Sequence, residues 1–162
     1  MCRNLGALCC IFVTLAGASS PVPESADALP REMLSAHNEI RSRMDLPPLH
    51  WSDRLAAHAQ EWADRLLRER SFHHRSHPIF GENLFDITGG RATAKLVVGD
   101  WVSEVHDYDY RSNTCRAVCG HYTQVIWSNT REVGCAIARD DRREVWVCNY
   151  NPPGNWIGER PY

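Results

Sequence analysis

Residues 133–139 read VGCAIAR and residues 144–150 read EVWVCNY. Both follow the period of two that marks a β-strand. The tetrad between them, Asp140-Asp141-Arg142-Arg143, is charged and short, so the two strands fold back as an antiparallel hairpin. The register follows from the turn. Whether it spans two residues or four, Asp140 faces Arg143 or Arg139 faces Glu144, and counting back from either sets Cys135 opposite Cys148. Directly opposed Cβ atoms lie about 4.5–5.5 Å apart, close to the separation a disulfide needs. Cys115 and Cys119 remain to close a tight loop upstream. The rival is a four-cysteine zinc site, but Cys135 and Cys148 are too far apart in sequence to form its second close pair.

Outward from the hairpin, residues 121–127 (HYTQVIW) also alternate and predict a strand. The N-terminal half has the helical period instead. From Pro30 to Met44 the spacing of Met33, Ala36, Ile40 and Met44 predicts a helix that Pro47-Pro48 ends. Ser52 is placed to cap a second helix, with Leu55, Ala56, Ala59, Trp62, Ala63, Leu66 and Leu67 as its apolar stripe. Residues 71–91 have no period and read as a long loop. A third helix is expected over about Thr93 to Val105, with Gly99 weakening its middle. The tail from Pro152 to Tyr162 reads as irregular chain. Helices early and antiparallel strands late make an α+β class.

The extreme N-terminus has a different chemistry. Arg3 precedes an apolar run from Leu5 to Ala18 that closes on Ala16-Gly17-Ala18, the pattern of a secretory signal peptide over residues 1–18. The run is shorter than the ~20 residues a membrane span needs, so no stable membrane anchor is expected. Residues 19–30 read as a flexible lead-in and 31–162 as one domain. Removal of the signal leaves four of the seven cysteines, an even number suited to disulfides in an exported chain. A secreted, extracellular location (periplasmic in a bacterium) follows. A net charge of −2 gives no reason to expect a nucleic-acid partner.

Four further segments stand out: HNEIR at 37–41, GENL at 81–84, GHYTQVIW at 120–127 and CNYNPPGNW at 148–156. Together, in this order, they resemble the signature segments of the CAP superfamily, the cysteine-rich secretory, antigen 5 and pathogenesis-related class 1 proteins. The resemblance implies a three-layer α-β-α sandwich with a small antiparallel sheet between helices. It implies a third disulfide too, whose positions are His73 and Asp140 here, so both partners are missing together.

It further implies a cleft holding two histidines and two glutamates, carried over as His77, Glu82, Glu104 and His121. Such a set can bind zinc or another divalent metal, perform acid–base work, or hold the cleft together by charge-assisted hydrogen bonds. His37 and His58 read as structural, hydrogen-bonded histidines. The expected function is a non-catalytic binding or defence module whose partner is a small apolar ligand, a lipid or sterol, or a protein. The alternative is a metal-assisted peptidase or hydrolase in the same cleft.

Overall fold

The computed structural model describes residues 28–162. The signal segment and all but the last three residues of the lead-in lie outside the described residues. Those three, Ala28 to Pro30, already belong to helix α1, Ala28–Ser42. The two-residue strand β1 (His50–Trp51) follows, then α2 (Asp53–Arg68), with Ser52 at its N-cap position in extended conformation. Strand β2 spans Gly81–Thr88. Helix α3 (Ala94–Ser103) starts at Thr93, whose side chain accepts the Leu96 N–H, and runs into a 3₁₀ turn, Glu104–Asp107. Short strands β3 (Tyr108–Asp109) and β4 (Thr114–Cys115) form a separate ribbon. Helix α4 (Gly120–Val125) precedes the hairpin of β5 (Glu132–Arg139) and β6 (Arg143–Asn151).

The main sheet has the order β1-β5-β6-β2. It is antiparallel except for β1, which lies parallel to β5. Cys135 faces Cys148 across the hairpin, and the two are disulfide-bonded, as are Cys115 and Cys119.

Helices bury both faces of the sheet. On one face Ala59, Trp62, Ala63 and Leu66 of α2 pack on Leu84, Ala136, Ala138, Val145 and Val147. Gly134 permits the close approach: a Cβ there would stand 2.2 Å from the Ala56 amide nitrogen and 2.5 Å from the Ser52 carbonyl oxygen. On the other face α1, α3 and α4 bring Met33, Val97, Val98, Trp101, Tyr122 and Val125 onto Val133, Cys135, Trp146, Cys148 and Tyr150. The result is the α-β-α sandwich.

Two segments differ from the sequence reading. Residues 81–88, expected inside a loop, pair with β6 along their whole length, Gly81 against Tyr150 through Thr88 against Arg143. Their polar residues Glu82, Asn83 and Asp86 face partners inside the protein, which hides the apolar alternation a strand usually shows. Residues 121–127, expected as a strand, lie largely in the six-residue helix α4. Tyr122, Thr123, Gln124 and Val125 are all buried, so no polar face marks a helical period.

Candidate functional site

The site forms where the start of β2, the edge strand of the sheet, meets the start of α4 and the end of α3. Glu104 is aimed at α4. One carboxylate oxygen accepts the His121 and Tyr122 backbone N–H groups at 2.9 and 3.2 Å, and the other meets His121 Nδ1 at 2.6 Å. It thereby satisfies N–H groups in the first turn of α4, which have no partner within the helix, and fixes the ring of His121. That ring stacks on Trp101 with centroids 6.4 Å apart.

Glu82 holds the opposite wall. Its Oε1 meets His74 Nδ1 at 2.8 Å and accepts the Arg75 backbone N–H at 3.0 Å. Its Oε2 is buried and has no hydrogen-bond partner. The two imidazoles stand 6.5 Å apart between centroids. Neither Nε2 enters a hydrogen bond among the described residues, so each ring is fixed at Nδ1 and open at Nε2.

Three of the four groups expected here, Glu82, Glu104 and His121, do converge. The second histidine is His74 rather than His77. His77 is exposed, has a positive φ of 55°, and makes no hydrogen bond among the described residues. Counting back from Glu82 along the chain misjudged a segment that is longer than a direct connection. The segment that carries His74 is pinned from α2: Trp62 Nε1 donates to the His73 carbonyl at 3.1 Å. The Arg75 guanidinium lies 4.9 Å from the Trp62 ring and donates to the His58 carbonyl. Burial, with the charge of Arg75 behind it, lowers the His58 imidazole below its ordinary value.

His37 and Arg41 lie away from the cleft but support it. His37 Nδ1 meets the Met33 carbonyl at 2.8 Å and Nε2 meets the Tyr150 hydroxyl at 2.9 Å. Burial pushes this imidazole down to about 4, so it is neutral. Burial also raises Tyr150 well above its ordinary value, keeping the hydroxyl as a donor. Asn83 then donates to the Tyr150 oxygen and to the His121 carbonyl, at 3.3 and 3.1 Å, linking α1 to the cleft. Arg41, fully buried, donates to the carbonyls of Pro47, Val125, Trp127 and Thr130.

No three His, Cys, Asp or Glu side chains among the described residues converge closely enough to enclose a metal ion by themselves. Two open imidazole nitrogens remain as the donor set. Ser103, beside Glu104, donates to the Asp100 carbonyl and not to a base.

The description "Cysteine-rich secretory protein family" belongs to a family model that matches residues 34–150. Pathogenesis-related protein 1A of Nicotiana tabacum is 45% identical over 135 residues, covering 82% of this chain and 80% of its own length. Pathogenesis-related protein 1 of Arabidopsis thaliana is 39% identical over 153 residues, covering 94% and 93%. Among solved structures, a venom allergen-like protein of Schistosoma mansoni superposes with a TM-score of 0.68 at 26% identity, covering 82% of this chain and 92% of that one. The structure titled NaASP2 with Zn2+ superposes with a TM-score of 0.71 at 20% identity, covering 89% and 90%.

Proposed function

The chain belongs to the cysteine-rich secretory protein (CAP) family, and from that premise we propose that it is an exported, defence-type binding module whose cleft holds a divalent metal, zinc foremost, between His74 and His121. The observation that carries the metal reading is the paired orientation of the two rings. Each donates Nδ1–H to a carboxylate, Glu82 or Glu104, and leaves Nε2 free. Metal-ligating histidines are usually oriented and made more basic in this way. The donor set therefore fits zinc as an open site, two imidazoles with the remaining positions left to water or ligand. Glu82 and Glu104 act here as orienting acceptors, not as ligands. The related NaASP2 structure is titled as holding Zn2+.

Export is supported by the two disulfides, which persist in oxidising compartments. No helix among the described residues is long and apolar enough to cross a membrane. For a small ligand, a groove of about 360 Å³ between α1 and α3, lined by Ala36 and Ala94 and by the charged side chains of Arg31, Glu32, Glu39 and Lys95, offers a second place to bind. Its size falls within the range of small-molecule sites.

The alternative reading, a metal-assisted peptidase, has one observation in its favour: the unpartnered Glu82 Oε2 is free to receive a proton. A bound zinc would supply an acidified water there.

Calorimetric zinc titration tests the proposal. His74→Ala and His121→Ala each abolish measurable binding, whereas His77→Ala leaves it unchanged. Glu82→Gln and Glu104→Gln weaken it by about 10–100-fold, the usual cost of losing an orienting partner. Equal affinity in the wild type and both histidine variants would make the cluster purely structural. Zinc-dependent peptide turnover that disappears in Glu82→Gln would move the conclusion to the peptidase.

A further inference from the structure

Strand β2 is one of the two edge strands of the main sheet, opposite β1, and its backbone polarity can be read residue by residue. The ladder with β6 continues past the strand into a bond from the Gly89 N–H to the Arg142 carbonyl, at 2.7 Å. In an antiparallel pair the residues that exchange hydrogen bonds alternate. Gly81, Asn83, Phe85, Ile87 and Gly89 therefore face β6, and Glu82, Leu84, Asp86 and Thr88 turn their N–H and C=O groups outward. The Leu84 carbonyl confirms the phase, since it accepts from Trp101 Nε1 of α3 at 2.9 Å. No other outward group of this run has a hydrogen-bond partner among the described residues.

This edge is accessible. Glu82 is only partly buried as a residue although its side chain is 4% exposed, so what is exposed there is backbone. Leu84, in the middle of the run, is 5% exposed and its carbonyl is taken, so the accessible backbone falls in two stretches, at Glu82 and from Asp86 to Thr88. The strand has no proline and an unbroken register, two of the usual devices that stop strand addition being absent. Its outer side runs directly into the cleft, where Glu82 Oε2 is a buried acceptor with no donor.

We propose that β2 binds an extended polypeptide as an added strand, with a lysine or another N–H donor of that peptide meeting Glu82 Oε2. Backbone pairing supplies the attraction and alternate side chains the selectivity. On the face shared by Glu82 and Asp86 the unsatisfied Glu82 Oε2 selects a basic residue, since the Asp86 carboxylate already meets Arg143 at 2.8 Å; on the other face the peptide is apolar, against the partly buried Phe85 and Ile87. A second copy of the chain fits less well. Pairing two β2 strands about Leu84 sets Glu82 opposite Asp86, and like charges directly opposed are destabilising. The inference does not depend on a bound metal.

The test uses an acetylated heptapeptide of alternating lysine and valine, titrated into the ¹⁵N-labelled protein in the presence of a chelator. In the free protein the Glu82 and Asp86 amides exchange with solvent at least about tenfold faster than those of Asn83 and Phe85, which donate to β6. Peptide slows Glu82 and Asp86 and shifts their resonances. The same peptide N-methylated at alternate residues does neither, and an alternating glutamate–valine peptide binds at least about tenfold more weakly. Asp86→Pro, which removes an outward N–H without touching the ladder, abolishes binding, whereas Asp86→Ala, which loses the same carboxylate but keeps the N–H, retains it. Equal binding by Asp86→Pro and Asp86→Ala, shifts confined to residues away from β2, or a concentration-dependent dimer in sedimentation that blocks the peptide would overturn the proposal. Loss of zinc binding in the histidine variants with peptide binding intact separates this inference from the metal reading.

Discussion

On one face of the sheet, α2 lays Ala59 and Ala63 against Ala136 and Ala138 at a distance only glycine at 134 allows. On the other, α1 buries a histidine and an arginine among Trp101, Tyr150 and the Cys135–Cys148 bridge. The first face is held by apolar contact whose strength follows area and fit. The second includes buried polar groups held by directed hydrogen bonds, and the chain from His37 through Tyr150 and Asn83 reaches the cleft. The lesson is a division of labour: shape complementarity closes one side, and directed hydrogen bonds set the position of the functional groups on the other.

The sharpest way to break the contrast is Arg41→Met. The substitution keeps a long side chain but strips donors from the Pro47, Val125, Trp127 and Thr130 carbonyls. Urea unfolding is expected to show a loss of about 3–5 kcal/mol, the scale of leaving several buried polar groups unpaired. A loss below about 1 kcal/mol would mean that burying the charge costs as much as its hydrogen bonds return, and the network would lose its claim to stability.

Acid titration probes the same face more gently. His37 has a folded value of about 4, lowered by burial from an ordinary 6.5. Between these values the unfolded chain binds a proton that the folded chain does not, so stability falls as pH drops from about 6.5 towards 4. The full loss from this residue is about 3 kcal/mol. His37→Gln has lower stability at neutral pH and a flatter profile across this window. A variant profile parallel to the wild type would locate the acid sensitivity elsewhere.

The α2 face is tested by Gly134→Ala. The added methyl collides with backbone, which yields less readily than a side-chain tip. Overpacking of this kind costs about 1–3 kcal/mol, and no dependence on pH between 4 and 7 is expected from it. Hydrogen exchange of α2 amides should rise while the His121 environment stays the same. Damage that spreads to the cleft would show the two faces to be one cooperative unit.

The α2 stripe and the hairpin register were legible in the sequence because each depends on local spacing: Leu55 to Leu67 at helical intervals, Cys135 and Cys148 counted from a charged turn. Strand β2 was not. Its alternation is masked by Glu82, Asn83 and Asp86, whose partners lie outside the strand, on the preceding loop and on β6. Helix α4 was misread because a short element buried on all sides carries β-branched and aromatic residues whatever its conformation. In the site, Glu104 and His121 could be placed by motif, since each sits in a regular element. His74 could not, because a segment that reaches its position through a positive φ at His77 cannot be measured by counting residues. The three histidines among residues 73–77 were the available signal, and only the Trp62 and Glu82 contacts choose among them.

Helix α4 has six residues, and helices shorter than about 12–15 residues are marginal by themselves. Its beginning is held by the Glu104 carboxylate and its last carbonyl by Arg41. It is helical only while α3 and α1 are both in place. In time, then, α4 is expected among the closing steps of folding, once α1 and α3 offer it partners. His121 is its second residue, so the cleft assembles no earlier. A preparation in which α4 is unformed loses only six helical residues and yet lacks the site. Protection of the α4 amides, or the chemical shift of His121, is therefore a stricter measure of native protein than secondary-structure content.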